Sequence, residues 1–316
     1  MGLLDQKKVL VVGLGKSGIA VTRLLAQKGY HVAITDDGAS VVRSAVRNEL
    51  GGLGSAVEPV EVDRAAGALD GCGCLIASPG VPLDHELLAE ARGRGIPVTG
   101  EFEIASRFCG SPVVGVSGTN GKSTVVSLIG RIFETAGLRT VVAGNIGTPF
   151  SAVVDAGDPW DVVVLEISSF QLDTISEFKT RVAVLLNITP DHLDRYHDSF
   201  EEYANSKARI LLNTDGDTVF VYNADDAACA RIAEGFAGTK IPFSSSKQLG
   251  EGVYAAEDAI VRTLEGRTDR VIAIADFPPV GIHNLENAMA SVAAVSSFDI
   301  GMNQIERALA SYRPLP

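Results

Sequence analysis

The strongest constraint on the fold is a glycine loop set between two apolar stretches. Val113-Val-Gly-Val116 leads into Ser117-Gly118-Thr119-Asn120-Gly121-Lys122-Ser123-Thr124, and an apolar helical pattern follows from Val125. A strand that turns through such a loop into a helix offers backbone N–H groups to phosphate oxygens, a lysine to the β/γ charge and a hydroxyl to Mg2+. Where the general P-loop pattern puts its first glycine this chain has Val116, and its glycines stand at 115, 118 and 121. Gly118, Thr119, Asn120, Gly121, Lys122, Ser123 and Thr124 are the candidate ATP contacts.

The rest of the chain carries the matching periodicity. Short β-branched runs at 8–12, 31–35, 74–77 and 96–98 precede the loop, and runs at 140–142, 161–165, 182–186 and 218–221 follow it. Amphipathic stretches at 19–28, 86–94, 101–107, 200–212, 284–297 and 302–312 alternate with them, the pattern of parallel strands joined by crossover helices. Between about 240 and 282 short alternating segments rich in turn residues predict an antiparallel edge. The expected fold is α/β: a Rossmann-like N-terminal domain over 1–103, then a P-loop-type α/β ATP-binding domain with an antiparallel edge over 104–316. Arg313-Pro-Leu-Pro316 reads as a connection, so a further domain is expected beyond it.

Charge narrows the partners. A formal net charge of −12 argues against nucleic acid, whose backbone is held by clustered Lys and Arg. No apolar run approaches the ~20 residues of a membrane span, and Asp5 interrupts the start where a secretory signal would run. Cys72, Cys74, Cys109 and Cys229 form neither a disulfide framework nor a paired zinc pattern. A cytoplasmic protein without nucleic-acid or membrane partners is expected.

A second glycine motif, Gly13-Leu14-Gly15-Lys-Ser17-Gly18, follows the first strand, and Asp36 ends the next. That context fits a dinucleotide fingerprint, and it fits another diphosphate ligand such as a UDP-sugar equally well. Ser78-Pro79-Gly80 follows the strand at 74–77. In the second half, Asp161-Val-Val-Val-Leu-Glu166 ends in the carboxylate that a P-loop ATPase needs for its metal. Asn145 follows a strand within Gly144-Asn-Ile-Gly147, where its amide can meet a ligand. The loop Asn187-Ile-Thr-Pro-Asp-His192-Leu-Asp-Arg-Tyr-His197 leaves the carboxyl end of a strand, which gives His192 a metal or substrate role. Lys207 reads from its surroundings as an ordinary solvated lysine.

These motifs together resemble the ATP-dependent Mur ligases, and the resemblance extends through Ala77-Ser-Pro-Gly80 and Gly281-Ile-His-Asn-Leu-Glu-Asn287 to cover essentially the whole chain. The run Glu166-Ile-Ser-Ser-Phe-Gln-Leu172 is most similar to the branch that adds D-glutamate to UDP-N-acetylmuramoyl-L-alanine. The resemblance implies that the first domain holds the UDP substrate through Leu14, Gly15, Ser17, Asp36, Ser78, Pro79 and Gly80, with Asn145 reaching the substrate. It implies that Lys122 stabilises the transferring phosphoryl group and that Ser123 and Glu166 hold Mg2+. It further implies that His192 reaches the substrate or a second Mg2+, that Lys207 is a carbamylated metal ligand, and that Asn287, with His283 close by, meets the adenine. The family's D-glutamate-binding domain would begin where this sequence ends, so binding of UDP substrate without ligation is the expectation. An NAD-dependent oxidoreductase would leave Lys122 and Glu166 unexplained, and a regulatory nucleotide-binding module would need no UDP site.

Overall fold

The computed structural model describes residues 3–157, 159–278 and 280–313. Two features of the sequence reading, the second proline of Pro278-Pro279 and the final Pro-Leu-Pro, lie outside the described residues. The chain divides into two compact units. The first comprises Met1–Gly110, Thr148–Asp158 and Asp173–Phe178, and the second comprises Ser111–Gly147, Pro159–Leu172 and Lys179–Pro316. The first unit thus extends past the expected boundary at 103, because the helix Glu101–Ser106 buries Phe102 and Ile104 within it.

Five strands of the first unit, β1 (Lys8–Val12), β2 (His31–Thr35), β3 (Val57–Pro59), β4 (Cys74–Ala77) and β5 (Val98–Gly100), form a parallel sheet in the order β3-β2-β1-β4-β5. Alternate residues fill two cores. Val9, Val11, Val32, Ile34 and Ile76 pack on one face, and Leu10, Ala33, Leu75 and Leu88 on the other. Burial of both faces explains the near-continuous apolar strands of this region. The strand expected at 96–98 is shifted to Val98–Gly100. The Ile96 N–H turns back to Ala91 O and closes the helix Glu86–Gly93, and Pro97 has no N–H for a ladder.

In the second unit, nine strands among the described residues run β6 (Val113–Ser117), β7 (Thr140–Gly144), β8 (Val162–Glu166), β9 (Val182–Leu185), β10 (Val219–Asn223), β11 (Thr239–Ser244), β12 (Gly252–Ala256), β13 (Ala259–Leu264) and β14 (Arg267–Ala273). Their order is β14-β13-β12-β11-β10-β9-β6-β8-β7. The α/β class with an antiparallel edge is the one the sequence predicts. The antiparallel part, however, is confined to β12, β13 and β14, since β11 pairs parallel with both β10 and β12. A short helix at Ala227–Glu234, not among the expected helical stretches, supplies the crossover from β10 to β11 that a parallel pair requires.

Helices Lys122–Thr135 and Ile282–Val295 share one core with β6, β8 and β9, through Val125, Ile129, Ile132, Met289, Val292 and Val295. The strand β6 has β9 on one side and β8 on the other, although the chain visits β7 first. Such a reversal of strand order opens a crevice at the carboxyl ends of the strands, and the glycine loop after β6 leaves the sheet there.

Candidate active site

Four strand ends supply the site in the second unit. After β6 the loop passes through Gly118 at φ +152° and Gly121 at φ +85°. A Cβ at Gly121 would stand 2.4 Å from Asn287 Oδ1, so the loop approaches the helix Ile282–Val295 only because residue 121 has no side chain. Asn187, just beyond β9, braces the loop: its Oδ1 accepts from Thr119 N (3.1 Å) and Asn120 N (2.8 Å), and its Nδ2 donates to Asn120 O (3.1 Å). The Thr119 hydroxyl donates to Thr189 O (3.1 Å) and accepts from Thr189 N (3.0 Å). Asn187 belongs to no phosphate-loop motif, and in the sequence only its place directly after a buried strand marks it. The helix that follows begins at Lys122, and its first turn leaves N–H groups without partners inside the helix, a ready site for anionic oxygens.

At the end of β8, Glu166 is 2 % exposed and held from two sides. Ser123 Oγ donates to one carboxylate oxygen (2.7 Å) and Asn145 Nδ2 to the other (2.8 Å). The register explains the meeting, because Gly144 pairs with Glu166 across β7 and β8, which places Asn145 one residue past the pair. Gly144 has φ +114°, and a Cβ there would stand 2.3 Å from Glu166 O. Ser123, Asn145 and Glu166 therefore form one cluster of oxygen and amide groups.

The two lysines meet on a single acceptor. Lys122 Nζ donates to Gly118 O (2.9 Å) and Thr119 O (2.8 Å), and Lys207 Nζ donates to the same Gly118 O (2.8 Å). Lys207 is 2 % exposed and lies 4.7 Å from the centre of the Tyr203 ring. It is not the solvated lysine its sequence surroundings suggest. Tyr203, whose hydroxyl is 3.2 Å from Thr119 Oγ1, joins it to the loop. Burial lowers the pKa of the Lys122 ammonium, against the opposing pull of the Glu166 and Asp191 charges.

His192 adopts φ +49° in an exposed loop, with its Nε2 3.7 Å from Asp191 and its ring 5.4 Å from Phe170. Phe170 carries the Arg195 guanidinium at 4.0 Å and stacks on Tyr196. Asn287 is 8 % exposed beside Gly121, and His283, one turn earlier on the same helix, pairs with Glu286 (3.5 Å). Among the described residues no three or more His, Cys, Asp or Glu side chains cluster as a ligand set for a metal.

In the first unit the glycine loop after β1 is tied to the loop after β4. Ser78 Oγ donates to Gly13 O (2.6 Å), and Gly18 packs so tightly that a Cβ would stand 2.0 Å from Gly13 O. The Asp36 carboxylate accepts from Leu14 N (2.8 Å) and Gly38 N (3.0 Å), so it organises the glycine loop from below. The Leu14 side chain is buried in the core, whereas Gly15 and Gly80 are exposed and Ser17 and Pro79 half-buried. Beside these loops lies a cleft of about 530 Å³ whose lining includes Val12, Thr35, Asp37, Pro82 and His85. Thr35 is 1 % exposed and its hydroxyl has no partner, and His85 pairs with Asp37 (3.2 Å). None of Thr35, Asp37 and His85 was singled out from sequence; a buried hydroxyl left unpartnered is visible only in three dimensions.

Comparison with known proteins agrees with this architecture. The Mur ligase MurD-like N-terminal domain matches residues 7–100, and the Mur ligase middle domain matches residues 116–295. The UDP-N-acetylmuramoylalanine–D-glutamate ligase of Pelotomaculum thermopropionicum is 42 % identical over 313 residues, covering 98 % of this chain and 67 % of that protein. The ligase of the same name from Geobacter metallireducens is 42 % identical over 315 residues, covering 98 % of this chain and 68 % of that one. Among solved structures, the Neisseria UDP-N-acetylmuramate:L-alanyl-gamma-D-glutamyl-meso-diaminopimelate ligase has a TM-score of 0.65 at 19 % identity, covering 99 % of this chain and 100 % of its own. The MurF ligase of Thermotoga maritima, solved with ADP, has a TM-score of 0.51 at 17 % identity, covering 80 % of this chain and 60 % of its own. With both family profiles in register with the two units, the chain belongs to the Mur ligase family.

Proposed function

We propose that this chain serves the ATP-dependent addition of D-glutamate to UDP-N-acetylmuramoyl-L-alanine, a step of peptidoglycan precursor synthesis. The observation that carries the reading is the convergence of Lys122 and Lys207 on the carbonyl of Gly118, with Ser123 and Asn145 meeting on Glu166 at the start of the helix that follows, in a chain 42 % identical to D-glutamate ligases. In this reaction the alanyl carboxylate attacks the γ-phosphorus of ATP and ADP leaves. The amine of D-glutamate then displaces phosphate from the acyl phosphate, and an amide forms.

The obstacle to the first step is charge, since a carboxylate must approach a polyanion. The unpaired N–H groups at the start of the helix Lys122–Thr135 bind phosphate oxygens, and the Lys122 ammonium leaves its loop carbonyls to meet the charge that develops on the transferred group. Glu166 and Ser123 fit Mg2+, which takes one or two carboxylates and completes its shell with phosphate oxygens and water. When bound, that ion neutralises phosphate charge and polarises the phosphoryl group. Asn145 holds the Glu166 carboxylate and stands exposed at the strand end, in place to orient the acyl group.

Lys207 fits carbamylation on electrostatic grounds. The buried Lys207 ammonium and the half-buried Lys122 ammonium repel each other on one carbonyl oxygen, and a carbamate on Lys207 would turn that repulsion into attraction toward Lys122 or a metal. His192 reaches the substrate or a second Mg2+ from its exposed loop, and Asn287 meets the adenine. The cleft at Thr35, Asp37 and His85, with the N–H groups of the Gly13–Gly18 loop, receives the UDP moiety.

These 316 residues span 67 % of the first relative's length. We expect this stretch alone to bind the UDP substrate and ATP but not to ligate. The test supplies UDP-N-acetylmuramoyl-L-alanine, ATP and Mg2+ and follows ADP with and without D-glutamate. Release that rises with D-glutamate would refute the inactive-fragment reading. Failure of UDP-N-acetylmuramoyl-L-alanine to bind, alongside binding of NAD, would refute the ligase reading.

A further inference from the structure

The first unit is assembled from three separate stretches of chain, and three consecutive residues join them. Glu101, Phe102 and Glu103 begin the helix Glu101–Ser106 and are 2 %, 1 % and 0 % exposed. A Glu101 carboxylate oxygen accepts from Ser151 N, in the first turn of the helix Phe150–Ala156. One Glu103 oxygen accepts from three successive backbone groups, Ser176 N, Glu177 N and Phe178 N, each at 2.9 Å, while Arg107 binds the other. Between them the Phe102 ring meets Phe150 at 5.6 Å and Phe178 at 5.8 Å. A buried carboxylate with three N–H donors and an arginine is held far more firmly than a surface ion pair.

The two stretches held in this way are those that lead into and out of β8. Thr148–Asp158 precedes it and follows directly on Asn145, Ile146 and Gly147, whereas Asp173–Phe178 follows the turn Ser169–Leu172 that succeeds Glu166. Both groups that make the carboxamide–carboxylate pair, Asn145 and Glu166, are thus short tethers away from the residues gripped by Glu101, Phe102 and Glu103. A cluster whose hydrogen bonds are 2.7 and 2.8 Å long tolerates little drift of its backbone.

We propose that Glu101-Phe102-Glu103 is a positioning element for the metal-binding end of the nucleotide site: it clasps both flanks of β8 and so fixes where Glu166 and Asn145 stand. The three residues touch neither nucleotide nor metal. Their effect is on the affinity for Mg2+, which depends on the orientation of Glu166, and not on the contacts of the nucleotide with the loop after β6. The inference rests on the assignment of that loop to a nucleotide and of Glu166 to Mg2+.

The test is calorimetry of the 316-residue chain with ADP, with and without Mg2+, well below the melting temperature. The variants are Glu103→Gln, which loses charge and part of the acceptor capacity, and Leu69→Ala, a truncation in the first unit's other core, which contains no residue of the clasp. Wild-type protein should bind ADP more tightly with Mg2+. For Glu103→Gln the Mg2+ concentration giving half of that gain should rise about tenfold, the usual cost of losing a group that orients a metal ligand, with metal-free ADP affinity unchanged. Leu69→Ala should leave both quantities at the wild-type value while lowering the melting temperature. If Glu103→Gln melts earlier but keeps the wild-type Mg2+ requirement, or if Leu69→Ala shifts that requirement equally, the clasp is structural only and the proposal fails. If the wild-type chain binds no ADP, the nucleotide assignment itself fails, a result that cannot be mistaken for either of the others.

Discussion

Gly118 O receives the amines of both Lys122 and Lys207, and these two residues show how unevenly a sequence displays its chemistry. Lys122 was legible because its glycines, its hydroxyl neighbours and the strand before it all belong to one short motif. Lys207 was not, because a lysine on an amphipathic helix looks the same whether its side chain reaches water or a loop from another strand. On the proposed nucleotide reading, replacing Lys122 with Ala removes charge-assisted bonds to phosphate, and we expect ADP affinity to fall about 10- to 100-fold, measured by calorimetry, with little change in melting temperature. Glu101 gives a pH prediction at the same scale. Burial pushes its carboxyl up to about 7, against the hydrogen bonds from Ser151 that lower it. A raised carboxyl means that the folded chain keeps a proton the unfolded chain releases. Stability is therefore at its fullest below about 4.5, falls as pH rises from there to about 7, and is level above, by about 3 kcal/mol in all. Glu101→Gln should remove that slope from the denaturant midpoint measured across pH; an unchanged slope would show that another group titrates there.

The elements most easily read from sequence were long or strongly apolar: β1, β8, β9 and the helices that follow the two glycine loops. The ones that escaped are short or set by contacts distant in sequence. Three-residue β3 has one buried side chain and exists because it completes the sheet edge beside β2. The loop after β6 is likewise shaped from outside its own sequence, by Asn187 from one side and Asn287 from the other. Gly121→Ala should cost about 1–2 kcal/mol from its left-handed backbone alone, read from the denaturant midpoint. It should also weaken ADP binding, since the added methyl displaces the Asn287 amide. Retention of wild-type affinity would mean that the Gly121–Asn287 contact is not part of the nucleotide site.

At the scale of the whole molecule the sequence displays two α/β sheets and their order along the chain. It does not display that the first unit is discontinuous, because the segments 148–158 and 173–178 carry no motif of their own. Their membership is written in buried groups such as Phe150, Phe178 and the N–H row of 176–178, which acquire partners only after folding. On the proposed reading each unit carries its own phosphate-binding loop, for UDP in the first and for ATP in the second. Calorimetric titration of the chain with Mg2+ and ADP, repeated after saturation with UDP-N-acetylmuramoyl-L-alanine, tests this most directly. One site for each ligand is expected, with ADP binding that persists when the UDP site is full. Mutual displacement of the two ligands, or displacement of the UDP ligand by NAD, would contradict it.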